Sequence, residues 1–179
     1  TQLGVIPEKY NFTASNRLIF SPDGRNFAYV VKVDDKSRVV VGNNESKLYD
    51  YVYDIIFSSD GKRVAYIATS GKGFTNYNLS LVVDGKATTM YDAILDISFV
   101  PNSHKLSYVG IKNGKARLVV NDKEGKLYDK IKAVTYSPDG RKVAYVVTQC
   151  ENQKFNLKDC PGEARKMFVV INDEENKQY

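Results

Sequence analysis

One short phrase recurs four times at near-constant spacing, and that recurrence constrains the fold more than any single residue does. Phe20-Ser-Pro-Asp-Gly24, Phe57-Ser-Ser-Asp-Gly61, Phe99-Val-Pro-Asn-Ser103 and Tyr136-Ser-Pro-Asp-Gly140 open at intervals of 37, 42 and 37 residues. The register persists downstream. Asn26-Phe-Ala-Tyr-Val30, Arg63-Val-Ala-Tyr-Ile67, Lys105-Leu-Ser-Tyr-Val109 and Lys142-Val-Ala-Tyr-Val146 share one offset, and Arg38-Val-Val-Val41, Ser80-Leu-Val-Val83, Arg117-Leu-Val-Val120 and Phe168-Val-Val-Ile171 follow them. Short runs of aromatic and β-branched residues, punctuated by Gly, Asn and Asp, are strand signals and are too short for helices.

The interval from each valine-rich run to the next opening aromatic is constant: Gly42 to Phe57, Asp84 to Phe99 and Asn121 to Tyr136 are each 15 residues. Within it recur Leu48-Tyr-Asp50, Met90-Tyr-Asp92 and Leu127-Tyr-Asp129. Each unit therefore holds four strands: one ending at the opening aromatic, one after the Asp-Gly turn, one at the valine run and one leading to the tyrosine. This pattern predicts an all-β protein, a β-propeller built from four-stranded antiparallel blades with four repeats in the chain. The repeat domain covers 1–179, with units at roughly 13–49, 50–91, 92–128 and 129–179 and an outer-strand-like segment at 1–12. The surplus residues fall between the second and third strands, at 69–78 and 149–166. Since blades bury their faces against neighbours, three assemblies compete: a four-bladed ring, half of an eight-bladed ring made as a homo-oligomer, and a piece of a longer propeller.

The repeat also decides what its polar residues are for. Asp23, Asp60 and Asp139 precede glycine in a tight turn, where the carboxylate takes local backbone N–H groups and Gly24, Gly61 and Gly140 supply the left-handed conformation. Asn102-Ser103 replaces Asp-Gly in the third unit, which would break a catalytic ring of carboxylates but only weakens a turn. Tyr29, Tyr66, Tyr108 and Tyr145 are assigned to packing between blades. The single histidine, His104, stands at the position of Arg25, Lys62 and Arg141, where charge is solvated. It has no partners for a metal site or a nucleophilic triad, and Gly71-Lys-Gly73 is too short for a phosphate loop, so no catalytic residue, metal or cofactor is expected and the chain is read as no enzyme.

The net charge of +5 comes from 26 basic and 21 acidic residues scattered among one another, as in Lys32-Val-Asp-Asp-Lys36, so nucleic acid is not an expected partner. No apolar run reaches the length of a membrane-spanning helix. Cys150 and Cys160 allow a local disulfide, which would point to an oxidising compartment, with two unpaired thiols as the alternative. Asn11-Phe-Thr13 and Asn78-Leu-Ser80 match the N-glycosylation acceptor pattern.

Ser-Pro-Asp-Gly-Arg followed by Val-Ala-Tyr-Val at 137–146, with its companions at 21–30 and 58–67, resembles the WD40-like (PD40) repeat of the TolB-type propellers over essentially the whole chain. The resemblance implies an extracytoplasmic setting, periplasmic or secreted. It spans scaffold proteins of the periplasm and the gating propellers of prolyl peptidases, so it specifies fold better than function.

The leading expectation is a non-catalytic propeller that binds or scaffolds a protein partner. The two insertions carry its candidate contacts: Phe74, Tyr77 and Asn78 in one, Lys154, Phe155, Asn156 and Lys158 in the other. Their common place in the unit predicts projection from the same face of the disc, from two non-adjacent blades. The competing readings are a small-ligand or glycan-binding propeller that stacks sugars on the same aromatics, and a hydrolase-associated propeller fragment.

Overall fold

The computed structural model describes residues 18–71, 78–151, 160–161, 164–172 and 174–178. They form four antiparallel sheets of four strands each, every sheet ordered as the chain runs. The first comprises β1 (Leu18–Phe20), β2 (Phe27–Val33), β3 (Lys36–Val41) and β4 (Asn44–Glu45); the second β5 (Tyr51–Phe57), β6 (Val64–Ser70), β7 (Asn78–Val83) and β8 (Lys86–Tyr91). The third holds β9 (Ala93–Phe99), β10 (Leu106–Lys112), β11 (Lys115–Val120) and β12 (Lys123–Glu124), and the fourth β13 (Lys130–Tyr136), β14 (Val143–Cys150), β15 (Arg165–Ile171) and β16 (Glu174–Gln178). The chain divides into two compact units, Thr1–Met90 and Tyr91–Tyr179.

Each Asp-Gly turn is wired from residues at most five apart. Ser21 Oγ donates to Asp23 Oδ1 at 2.6 Å and accepts the Asn26 N–H at 2.9 Å, while the Arg25 N–H reaches the same carboxylate oxygen at 3.1 Å. Ser58 with Asp60 (2.7 Å) and Ser137 with Asp139 (2.6 Å) repeat the arrangement. In the third turn the left-handed residue moves one place forward to Asn102 (φ 53°) and Ser103 Oγ accepts the Lys105 N–H at 3.1 Å, so a different local geometry closes the turn, which keeps the backbone bond from Ser103 N–H to Val100 O. Ser21, Ser58 and Ser137 are thus turn residues whose hydroxyls are engaged locally.

Alternation along the strands then builds a core within each unit. In the first, Ala28 and Val39 pack against Ile55, Val64, Tyr66, Ala68 and Val82 of the next sheet. In the second, Val109, Ala116 and Leu118 pack against Ile131, Tyr145, Val147 and Val170. Burying a Val or Leu side chain is worth about 1.5–3 kcal/mol, so these faces are the main attraction between neighbouring sheets.

The glycines of the turns do more than turn. A Cβ on Gly61 would stand 2.5 Å from Asp23 Oδ1, and one on Gly140 would stand 2.1 Å from the carbonyl oxygen of Pro101. Each of these turns is therefore pressed onto the turn of the preceding sheet. Side-chain amides reinforce the contact, from Asn26 Nδ2 to Gly61 O at 3.3 Å and from Asn102 Nδ2 to Pro138 O at 3.0 Å.

Two features differ from the expected unit. The outer strands β4 and β12 are only two residues long, and pairing resumes at isolated bridges, Ser37 with Tyr49 and Ala116 with Tyr128. Between them the chain leaves the ladder, held by bonds from Ser46 N–H to Val39 O and from Gly125 N–H to Leu118 O. Strands β5, β9 and β13 each contain a bulge, where Asp54 (φ 48°), Asp96 (φ 53°) and Ala133 (φ 55°) are left-handed.

Candidate functional site

The tyrosine that closes each unit is a latch. Tyr49 meets Tyr66 edge-on at 5.9 Å between centroids, Tyr91 meets Tyr108 at 5.8 Å, and Tyr128 meets Tyr145 at 6.4 Å. The closing tyrosines are 1–7% exposed, so they are core residues and not rim contacts. The aspartate that follows each one accepts a backbone N–H 21 residues ahead: Asp50 from Gly71 at 2.8 Å, Asp92 from Asn113 at 2.6 Å and Asp129 from Cys150 at 2.7 Å. Lys36 and Lys115 neutralise Asp50 and Asp129. The Lys36 ammonium bonded to Asp50 is the chief reason its carboxyl lies below the usual range. Bonds from Ser21 and Ser137 lower Asp23 and Asp139 likewise.

Cys150 and Cys160 form a disulfide with Cα atoms 5.9 Å apart, and both are buried. It joins the two ends of the second insertion, and the Arg165 Nε–H donates to the Cys160 carbonyl at 3.0 Å. Gly71, in the first insertion, donates its N–H to Asp50 as Cys150 does to Asp129. Of the expected contact residues, Phe74, Tyr77, Lys154, Phe155, Asn156 and Lys158 lie outside the described residues, and Asn78 is placed by its backbone alone, at the start of β7 opposite Ser70.

What sequence reasoning missed is a cleft of about 470 Å³ between the first two sheets. Its lining includes Arg25, Lys62 and Arg63, the amides of Asn26, Asn43 and Asn44, and the apolar Phe27, Val41, Phe57 and Val64. No carboxylate is among the described lining residues, although Asp84 accepts the N–H of one of them, Val64, at 3.0 Å. Arg63 Nε donates to Asp84 Oδ2 at 2.8 Å, and Asp60 lies 4.0 Å from the Lys62 ammonium, whose side chain is 81% exposed. Chemically the cleft offers amides and cations beside apolar groups, a combination suited to a carboxylate carried on a peptide. The signal available in the sequence was Asn43-Asn44 after Gly42, where the third unit has Asp122-Lys123.

Among the described residues no group of His, Cys, Asp and Glu could hold a metal ion, and no helix is long and apolar enough to cross a membrane.

Four sheets of four antiparallel strands at this repeat length define a β-propeller, and a solved propeller domain agrees. The chain is similar to the β-propeller domain of the Trilobed protease from Pyrococcus furiosus, described as having an open velcro topology, with 17% identity and a TM-score of 0.54 over 92% of this chain and 57% of that one. It is also similar to the acylaminoacyl peptidase of Pyrococcus horikoshii (17% identity, TM-score 0.48, 72% of this chain and 24% of that one) and to Kuenenia stuttgartiensis hydrazine synthase (15%, 0.43, 89% and 50%). The chain thus spans from about a quarter to just over half of these chains. No family model and no curated protein matches it in sequence.

This finding corrects the expectation that the chain is no enzyme. A propeller of this fold is part of the Trilobed protease, so the fold is hydrolase-associated, and the lack of a recognisable triad in the sequence does not separate the chain from enzymes. The likeness extends to the propeller domain and no further.

Proposed function

We propose that this chain is a propeller module of the TolB-type WD40-like repeat group, working outside the cytoplasm, and that it docks a protein partner by taking an acidic segment into the cleft between the first two sheets. The observation that carries the reading is the lining: Arg25 and Lys62, with Arg63 already held by Asp84, beside Asn26, Asn43 and Asn44 and the apolar Phe27, Val41, Phe57 and Val64. The non-repeating residues Phe74, Tyr77, Asn78, Lys154, Phe155, Asn156 and Lys158 are proposed as further contacts. The repeated Ser-Pro-Asp-Gly turns support the group, and the Cys150–Cys160 disulfide supports an oxidising compartment.

A second reading is favoured by the cover of the Trilobed protease propeller: a hydrolase-associated propeller whose cleft meets an acidic stretch of the hydrolase or of its substrate. Titration of a fluorescently labelled Glu-rich peptide, followed by anisotropy, tests both. Binding should weaken with salt and fall at least about tenfold in Arg25→Glu/Lys62→Glu, because each reversal exchanges attraction for repulsion. Equal affinity in that variant, or equal affinity for an Arg-rich peptide, would refute the cleft as the docking site. New amino groups released from the bound peptide would favour the hydrolase reading.

A further inference from the structure

At the other end of β5 from Phe57, two tyrosines break the repeat. Tyr51 and Tyr53 are two residues apart on one strand and so share a face, while Val52 between them packs into the core of the unit. They are 48% and 47% exposed, too open to serve the core as Tyr66 does. Their ring centroids are 6.3 Å apart with planes 27° from parallel. The architecture does not require them, since the same positions hold Ala93 and Leu95 in β9 and Lys130 and Lys132 in β13. Exposed apolar rings in a strand that nothing in the repeat demands are a candidate contact.

Two neighbours define the chemistry. The Lys32 ammonium sits 5.3 Å above the Tyr51 ring, and none of the described carboxylates pairs with it. Tyr51 also pairs in register with Thr69, two residues before Gly71, so the platform lies beside the root of the first insertion. The Asp54 bulge ends the regular register with β6 at Tyr53, fixing the presentation of both rings.

We propose that Tyr51, Tyr53 and Lys32 form a binding platform for an acidic glycan, with sugar C–H groups against the exposed tyrosine rings and a sugar carboxylate on Lys32. A ring face of partial negative charge attracts polarised C–H groups, and rings already exposed and held by the strand lose little freedom on binding. One ammonium beside two rings matches one carboxylate, whereas a nucleic acid would draw on a run of cations along its phosphates. A Glu-rich peptide would find its cations in the cleft, bordered by Phe57 at the opposite end of β5.

Affinity electrophoresis of the whole chain in gels containing polygalacturonate tests the platform, with uncharged dextran as the control gel. The intact chain should be retarded by polygalacturonate and much less by dextran. Tyr51→Ala/Tyr53→Ala should raise the apparent dissociation constant at least about tenfold with an unchanged melting temperature, as both rings are half exposed. Lys32→Gln should erase the preference for the acidic polymer while keeping residual retardation. Arg25→Glu/Lys62→Glu should leave retardation unchanged, separating this site from the cleft. No retardation of the intact chain, equal retardation of the tyrosine variant, or tighter binding of single-stranded DNA or of the Glu-rich peptide at these tyrosines would overturn the proposal.

Discussion

Asp129 offers the sharpest test of how the entry to the fourth sheet is anchored. Its side chain is 3% exposed, it accepts the Cys150 N–H at 2.7 Å and it is paired with Lys115. In Asp129→Ala the Lys115 amine, 37% exposed, can turn to water, so its loss of partner costs little. The Cys150 N–H cannot, because Cys150 is 1% exposed and anchored by the disulfide. Losing a hydrogen bond to a charged group and stranding a buried donor together cost about 2–4 kcal/mol. With a urea dependence of about 2 kcal/mol per molar, the unfolding midpoint should drop by roughly 1–2 M at constant slope. Asp129→Asn retains an acceptor for Cys150 and should lose less than half as much. The experiment is equilibrium urea unfolding at neutral pH with the disulfide intact. A midpoint for Asp129→Ala indistinguishable from that of the parent, or an asparagine variant as unstable as the alanine one, would refute the role given to the bond from Cys150 to Asp129.

Four further outcomes follow from the same structure. Gly140→Ala places a methyl group 2.1 Å from the Pro101 carbonyl oxygen at φ 70°, and should destabilise by about 3 kcal/mol or more, whereas Gly114→Ala, at φ 72° with nothing within 4 Å, should cost only about 1–2 kcal/mol; thermal melts compare the two. Ala133→Gly should raise the melting temperature, since glycine holds φ 55° without the Cβ penalty, by an amount on the order of 1 kcal/mol. The Tyr66 hydroxyl is buried without a hydrogen bond, so Tyr66→Phe should be neutral or stabilising; burial also pushes this phenol above its ordinary 10.0, so stability falls as pH rises past that value, and the variant should lose less there. The carboxyls of Asp23, Asp50 and Asp139 are depressed below 3.8 in the folded chain, so their contribution is complete above that pH and is lost as pH falls through the folded values; a melting temperature that stays constant from about pH 5 to pH 2 would contradict this.

The sequence by itself determined the units and their wiring at short range. A serine, an aspartate and a glycine within four positions can satisfy one another whatever surrounds them, so the turns at 21–24, 58–61 and 137–140 were legible as turns. Strand length, alternation and the common place of the insertions followed from the same local chemistry, and the two cysteines were close enough in the chain to make their bridge a natural expectation. The sequence also displayed the constant intervals of 17 residues between tyrosines and 21 between aspartate and amide, yet intervals alone name no contact.

Only the tertiary structure decided what crosses from one sheet to the next. The pressure of Gly140 on Pro101, the burial of the closing tyrosines, the opening of a cationic cleft beside Phe57 and the exposure of Tyr51 and Tyr53 all depend on how far one sheet stands from another. That distance is set by the packing of whole faces against each other, and no pattern within a single strand records it.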